Sequence, residues 1–164
     1  MRRLVINLLA AICFAAAIVI VVDGSERAAE REEAIAQTRD AVRMLQVELD
    51  VHVAVESGPL GERKYPSSIS PAWFEAQRPV NALLRADSPW VEVAAADEIG
   101  LRHPRDPTVE GGHGAMFWYN PALGVVRARV PRTLTDADAI ALYNQVNGTS
   151  IVGLKAISQA EDRD

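Results

Sequence analysis

Four side chains that could ligate a metal ion lie within eleven residues of one another: His103, Asp106, Glu110 and His113. Imidazole nitrogens and carboxylate oxygens are common metal ligands. Their spacings of three, four and three residues cross two prolines and two glycines, and they match no standard metal-binding pattern. The sequence therefore predicts a solvated loop here, with no metal site and no cofactor.

Covalent catalysis needs a nucleophile beside a positioned base, and the chain offers no pattern for one. Its single cysteine, Cys13, lies in a long apolar run, which also excludes an internal disulfide and a Cys-rich zinc site. No serine stands in a Gly-x-Ser-x-Gly turn, and no Gly-rich phosphate loop is present. The acidic pair Asp136 and Asp138 suits the first turn of a helix. We expect a protein that is not an enzyme.

Length and charge narrow the classes further. A chain of 164 residues predicts one domain, or one domain with an appendage. Its 17 basic and 22 acidic residues give a formal charge of −5, which argues against a broadly basic surface for nucleic acid.

The amino-terminal residues predict a membrane anchor. Arg2 and Arg3 precede an apolar run over residues 4–22, in which Asn7 is the only strongly polar side chain. As a helix this run spans about 28 Å, close to the hydrocarbon thickness of a bilayer. The positive charge before it places the amino terminus in the cytoplasm and the remainder of the chain in the periplasm of a bacterial inner-membrane protein. The alternative is a secretory signal cleaved before Ser25, which would release a soluble module.

Residues 25–56 predict an amphipathic stalk helix. A seam with spacings of three and four residues runs along it, comprising Ile35, Thr38, Val42, Leu45, Leu49 and His52. Alternating valines over residues 47–55 also fit a strand, but the seam favours helix to about residue 52. We predict that span and stalk bind protein partners, self-association included, through Ile35, Val42, Leu45 and Leu49. A second stripe, Met44, Val47 and Val51, is predicted to pack on the sheet of the body.

Residues 57–164 predict a small α+β body. Residues 115–119 and 125–130 are β-prone and flank the turn 120–124, which predicts a hairpin. Val91 and Val93 suggest a further short strand, and residues 151–157 a last one. Thr135 is placed to cap a helix that ends at Gly148. With 1–24 as cytoplasmic end and transmembrane helix, the predicted fold is a long amino-terminal helix packed on a small antiparallel sheet.

This layout resembles that of type IV pilin-like proteins, including the pseudopilins of type II secretion systems. Tyr65-Pro66 just past the stalk and the aromatic hairpin that begins at Phe117-Trp118-Tyr119 add to the resemblance. Residues 4–22 contain neither the Gly nor the Glu expected around the family's prepilin peptidase site, so the chain is similar to a divergent member. The resemblance implies a membrane-anchored structural component of a secretion or pilus-type assembly.

A second hypothesis comes from the tryptophans. Trp73, Trp90 and Trp118 could line a pocket in an anchored or released periplasmic binding module. Alternation along the strand sends neighbouring rings at residues 117–119 to opposite faces, so at least one ring must be exposed or covered by another segment. Because aromatic side chains are enriched at interface centres, Trp118 is also a candidate partner contact.

Overall fold

The computed structural model describes the backbone of residues 2–57, 65–74, 77–132 and 135–153, and within the first range the side chains of residues 24–55. The chain divides into two compact units, Met1–Glu33 and Ala34–Asp164. The elements are the helices α1 (Arg2–Ser57) and α2 (Asp136–Asn147) and the strands β1 (Val91–Val93), β2 (Thr108–Val109), β3 (Phe117–Asn120), β4 (Val125–Ala128) and β5 (Val130–Pro131). Two short 3₁₀ helices cover Pro71–Phe74 and Ala96–Glu98.

The first unit is the amino-terminal part of α1, which continues through Gly24 without a break. The predicted membrane span, residues 4–22, lies where the structure describes the backbone but not the side chains. Among the residues that the structure does describe, no helix combines the length and apolarity that crossing a membrane requires. The strand reading of residues 47–55 is wrong, because this stretch is helical to Ser57.

The second unit is α+β, with a small mixed sheet rather than the predicted antiparallel one. β3 and β4 form the predicted antiparallel hairpin, with Tyr119 opposite Val126. β1, however, pairs parallel to β3, and β2 pairs parallel to β5. Parallel pairing needs a long crossover, and the segment between β1 and β3 supplies it. Residues 151–153 are not in a strand, and the remainder of the predicted last strand lies outside the described residues.

The core of this unit lies between α1, the sheet and α2. The helix contributes Ile35, Leu45 and Leu49, of which the two leucines are completely buried. Phe117 and Tyr119 from β3 and Val126 and Ala128 from β4 face them, and α2 adds Leu142, Tyr143 and Val146. The prediction that Met44, Val47 and Val51 would pack on the sheet is wrong, since these side chains are exposed. The seam is longer than this stripe and includes Ile35, Leu45 and Leu49, so burying it removes more apolar surface from water.

A buried polar link joins α1 to the sheet. The hydroxyl of Thr38 lies 3.2 Å from Oδ1 of Asn81 and 2.8 Å from the carbonyl oxygen of Ala34. The Asn81 amide then donates to the carbonyl oxygens of Met116 at 3.0 Å and of Arg129 at 2.7 Å. Both linking side chains are completely buried. Because each polar atom has a partner, the link orients the helix without leaving an unsatisfied group.

Three other asparagines bind backbone groups of the body through their side-chain amides. Asn147 accepts from the backbone N–H of Ala128 at 2.8 Å and donates to its carbonyl oxygen at 2.9 Å. Asn144 likewise accepts from the backbone N–H of Ile151 at 3.0 Å and donates to its carbonyl oxygen at 2.9 Å. Asn120 donates to the carbonyl oxygens of the segment 98–101. Side-chain amides thereby satisfy backbone groups at the end of β4 and in two irregular segments.

Both ends of α2 are capped by the residues that the sequence predicted. The Thr135 hydroxyl accepts from the backbone N–H of Asp138 at 3.1 Å, as the predicted helix cap requires. Gly148 closes the helix with a φ of 62°, in the left-handed region that favours glycine.

We expect Asn81→Leu to lower the free energy of unfolding by about 2–4 kcal/mol, because it leaves the buried Arg129 carbonyl oxygen without its amide donor. Gln77→Leu is the control, since the Gln77 side chain is exposed, and it should change that free energy by less than about 0.5 kcal/mol. Urea denaturation of both variants measures the difference. Equal stabilities would show that the link to the sheet contributes little.

Candidate interaction surface on the long helix

An exposed apolar stripe runs along α1 in the second unit. It consists of Met44, Val47, Val51 and Val55, which are 50%, 62%, 48% and 77% exposed. Their spacings of three, four and four residues place them along one side of the helix. We call them the outer stripe. Contiguous exposed apolar side chains of this kind commonly mark an interaction site.

Polar side chains of both signs flank the outer stripe. Arg43 and Asp40 form an exposed ion pair at 3.3 Å. His52 lies 3.5 Å from the Glu48 carboxylate, one turn earlier. The stripe is therefore a narrow apolar band with charged edges, as at the seam between two packed helices.

Contacts on the other sides hold the helix against the body. The amide of Gln46 donates to the carbonyl oxygen of Gly124 at 3.0 Å. The guanidinium of Arg39 donates twice to the carbonyl oxygen of Gln145, at 3.2 and 3.0 Å. The His52 ring stacks on Trp73 with centroids 3.9 Å apart. Together these contacts fix which face of α1 is turned outward.

The residues that the sequence predicted for interaction with partners are buried or partly buried in the structure. Ile35, Leu45 and Leu49 belong to the core, Val42 is partly buried against it, and Trp118 is completely buried. Within this chain their contacts are with the body. Periodicity found both apolar stripes on α1 but could not tell which of them the body covers.

The three tryptophans have different neighbours. Trp73 stacks on His52, whereas Trp90 meets Phe74 edge-on at 5.7 Å and donates to the carbonyl oxygen of Pro79. Trp118 lies on the other face of the sheet from Phe117 and Tyr119, where its indole N–H is 3.4 Å from the Glu98 carboxylate. All three rings of residues 117–119 are thus buried, and another segment covers Trp118, as alternation predicted. The structure does not bring the indoles together around one pocket.

The loop residues with metal-ligand chemistry are also separated. His103 lies 3.1 Å from the Tyr143 hydroxyl, while Asp106 accepts from Thr108 at 2.7 Å. Glu110 pairs with Arg132 at 3.3 Å. Across the part of the chain that the structure describes, no three His, Cys, Asp or Glu side chains converge as a metal site requires.

The two local features behind the pilin-like resemblance meet in the structure. The Tyr119 hydroxyl of the hairpin donates to the carbonyl oxygen of Pro66 at 2.6 Å. Gly124, in the hairpin turn, has a φ of 61°, and a side chain there would collide with the Tyr65 ring. The Tyr-Pro segment therefore covers the turn that joins β3 to β4.

Comparison with models of protein families, with curated proteins and with solved structures finds no match to this chain. The pilin-like layout is thus argued from the residues of this chain alone.

The contrast between the two stripes is directly measurable. We expect Leu45→Ala to lower the free energy of unfolding by about 2–5 kcal/mol, because Leu45 is completely buried. Val47→Ala removes an exposed side chain and should cost less than about 0.5 kcal/mol. Thermal or urea denaturation of the two variants tests this, and a larger loss at Val47 would contradict the assignment of the outer face.

A pH dependence is expected from His103. Burial, followed by the charges of Arg127 and Arg102, lowers the pKa of His103 from 6.5 to about 4. The unfolded chain therefore takes up a proton at a higher pH than the folded chain, so stability is lost as the pH falls from about 6.5 to about 4. Solvent screening of the half-buried ring limits the effect to roughly 1–2 kcal/mol.

His103→Gln keeps a hydrogen-bonding partner for Tyr143 but cannot titrate. The free energies of unfolding of this variant and of the wild type are measured between pH 4 and pH 7. The wild type should gain stability relative to the variant as the pH rises. A constant difference between the two proteins would show that His103 titrates normally in the folded chain.

Proposed function

We propose that this protein is a membrane-anchored, non-enzymatic, pilin- or pseudopilin-like structural component of a secretion or pilus-type assembly. In this proposal residues 4–22 span the bacterial inner membrane, the amino terminus is cytoplasmic and the body is periplasmic. The outer stripe packs against α1 of a second copy of the chain.

The outer stripe is the observation that carries the proposal. Complete burial of its four side chains would be worth at most about 6–12 kcal/mol before entropy is subtracted, and they are only about half to three-quarters exposed, so a partner that covers them gains part of this free energy. The stripe lies on a helix whose other side is already occupied by the body through Leu45 and Leu49. A helix with one face on its own body and a second apolar face outward suits a subunit that packs helix against helix.

A second copy is favoured as the partner for two reasons. Chains anchored through one membrane span share an orientation and a two-dimensional space, which raises their effective concentration. Arg43 lies on one edge of the stripe and Glu48 on the other. Opposite edges meet when two helices pack in parallel, so Arg43 of one copy can pair with Glu48 of the next.

Disulfide crosslinking in membranes tests this proposal. Cys13→Ala removes the natural cysteine, and Val47→Cys or Val51→Cys then places one thiol on the outer stripe. We expect these variants of the full chain to form disulfide-linked dimers on mild oxidation, because like positions on packed helices come close together.

Ile99→Cys is the matched control, since Ile99 is also an exposed apolar residue, 54% exposed, but does not lie on α1. Dimers should be scarce in this control. If Ile99→Cys crosslinks as efficiently as Val47→Cys, or if no variant crosslinks, packing through the outer stripe is wrong. A Val47→Asp variant should also lose the larger complexes that the wild type forms after mild detergent extraction.

A further inference from the structure

The only Asn-Gly pair of the chain stands at the carboxyl end of α2. Asn147 is the last residue of the helix, and Gly148 is its cap. Every other asparagine is followed by a residue that has a side chain. Glycine has no Cβ and the widest backbone freedom, so its nitrogen can approach the side chain of the residue before it. This pair is therefore the place in the chain where the backbone attacks a side-chain amide most readily.

The reaction open to such a pair needs only water. The backbone nitrogen of Gly148 attacks Cγ of Asn147, so that a C–N bond forms, the bond from Cγ to Nδ2 breaks, and ammonia leaves with the proton of the attacking nitrogen. Water then opens the resulting cyclic imide at either carbonyl carbon. The product is aspartate or isoaspartate, in which the main chain runs through the former side chain. Either way a carboxylate replaces a neutral amide.

The folded structure holds both reacting groups away from this step. The Asn147 amide donates to the carbonyl oxygens of Ala128 at 2.9 Å and of Tyr143 at 3.0 Å, and its oxygen accepts from the backbone N–H of Ala128 at 2.8 Å. The backbone N–H of Gly148 donates to the carbonyl oxygen of Asn144. Attack requires both sets of hydrogen bonds to break, so the last turn of α2 must open first.

The last turn of α2 has little cover. Gly148 is exposed, and no atom from elsewhere in the described part of the chain lies within 4 Å of where its Cβ would be. In the segment that follows, Val152 is 91% exposed. The Asn144 amide joins the turn to this segment, through Thr149 at 2.9 Å and Ile151 at 3.0 and 2.9 Å. Helix ends with so few contacts open more often than the core of a domain.

We propose that Asn147 is a deamidation site whose reaction follows opening of the last turn of α2 and then prevents that turn from closing. Ala128 and Tyr143, whose carbonyl oxygens receive the amide N–H groups, are completely buried. A carboxylate has no N–H to offer them and places a negative charge beside two oxygens. The reaction is therefore a one-way change in the contact between α2 and β4. It is independent of packing through the outer stripe.

Peptide mass spectrometry of the full chain in detergent tests the requirement for opening. The protein is kept at mildly alkaline pH, with or without enough guanidinium chloride to unfold it, and conversion at Asn147 is followed over time. We expect conversion to be at least about a hundredfold slower in the folded chain. Asn120 is the internal control, because Pro121 after it has no backbone N–H and cannot react in this way. Equal rates in folded and unfolded chain would overturn the proposal.

A variant of α2 tests which contact controls the opening. Asn144→Ala removes the side chain that holds Ile151 but leaves Asn147-Gly148 intact, and it should speed conversion in the folded chain at least about fivefold. Gln145→Ala is the matched control, since it removes an exposed amide from the same turn and should convert at the wild-type rate. Unchanged conversion in a folded Asn144→Ala would contradict opening at this turn.

The wild type provides a second measurement that does not depend on a variant. Guanidinium chloride below the unfolding transition should raise conversion at Asn147 and hydrogen exchange of the Gly148 N–H by the same factor, because one opening exposes both groups. Exchange that rises while conversion stays constant would show that the two do not share this opening, and the proposal would be wrong.

Asn147→Asp reproduces one product of the reaction and tests its consequence. It should lower the Tm by at least about 3 °C, because two carbonyl oxygens lose their amide donor. Gln145→Glu adds the same charge to an exposed position of α2 and should change the Tm by less than about 1 °C. A Tm of Asn147→Asp equal to that of the wild type would show that the turn still closes after deamidation and would overturn the one-way change.

Discussion

The buried link from Thr38 through Asn81 to the sheet is the constraint on which the second unit depends. An amide and a hydroxyl without water are stable only when each donor and acceptor has a partner in the right place. Thr38 meets this requirement from α1, while Met116 and Arg129 meet it from the sheet side. Rotating α1 about its axis would break the link, so the rotation that satisfies it is strongly preferred.

That rotation decides the fate of both apolar stripes on α1. With Thr38 turned inward, Leu45 and Leu49 on the same side reach the core, and the outer stripe is left in water. The helix therefore has one face for its own body and one for a neighbour. The proposed pilin-like packing between copies would use the outer stripe, which stays exposed because the body covers the opposite side of α1.

Side-chain amides satisfy backbone groups that the regular structure of the body leaves unpaired. Asn147 binds Ala128 at the end of β4, while Asn144 and Asn120 bind Ile151 and the irregular segment 98–101. Long irregular segments connect the short strands, and they cover the second face of the sheet. One of them buries Trp118 under Glu98 and places His103 against Tyr143 of α2.

The sequence by itself determined the elements that local chemistry specifies. The seam of α1, the hairpin around residues 120–124, the strand at Val91–Val93 and the caps of α2 at Thr135 and Gly148 all follow from periodicity, turn residues and capping. The helical seam predicted α1 to about residue 52, and the helix continues to Ser57. Such features depend on neighbours a few positions away, which a single chain displays directly.

Only the tertiary structure decided what depends on distant residues. The parallel pairing of β1 with β3 requires the long crossover to return on a particular side, and no local pattern encodes that choice. The burial of Leu45 in place of Met44 depends on where Asn81 lies, 43 positions after Thr38. The contact of His103 with Tyr143 joins a loop to α2 across 40 positions of the sequence. Long-range contacts, not residue types, determine how β1 pairs and which side of α1 is buried.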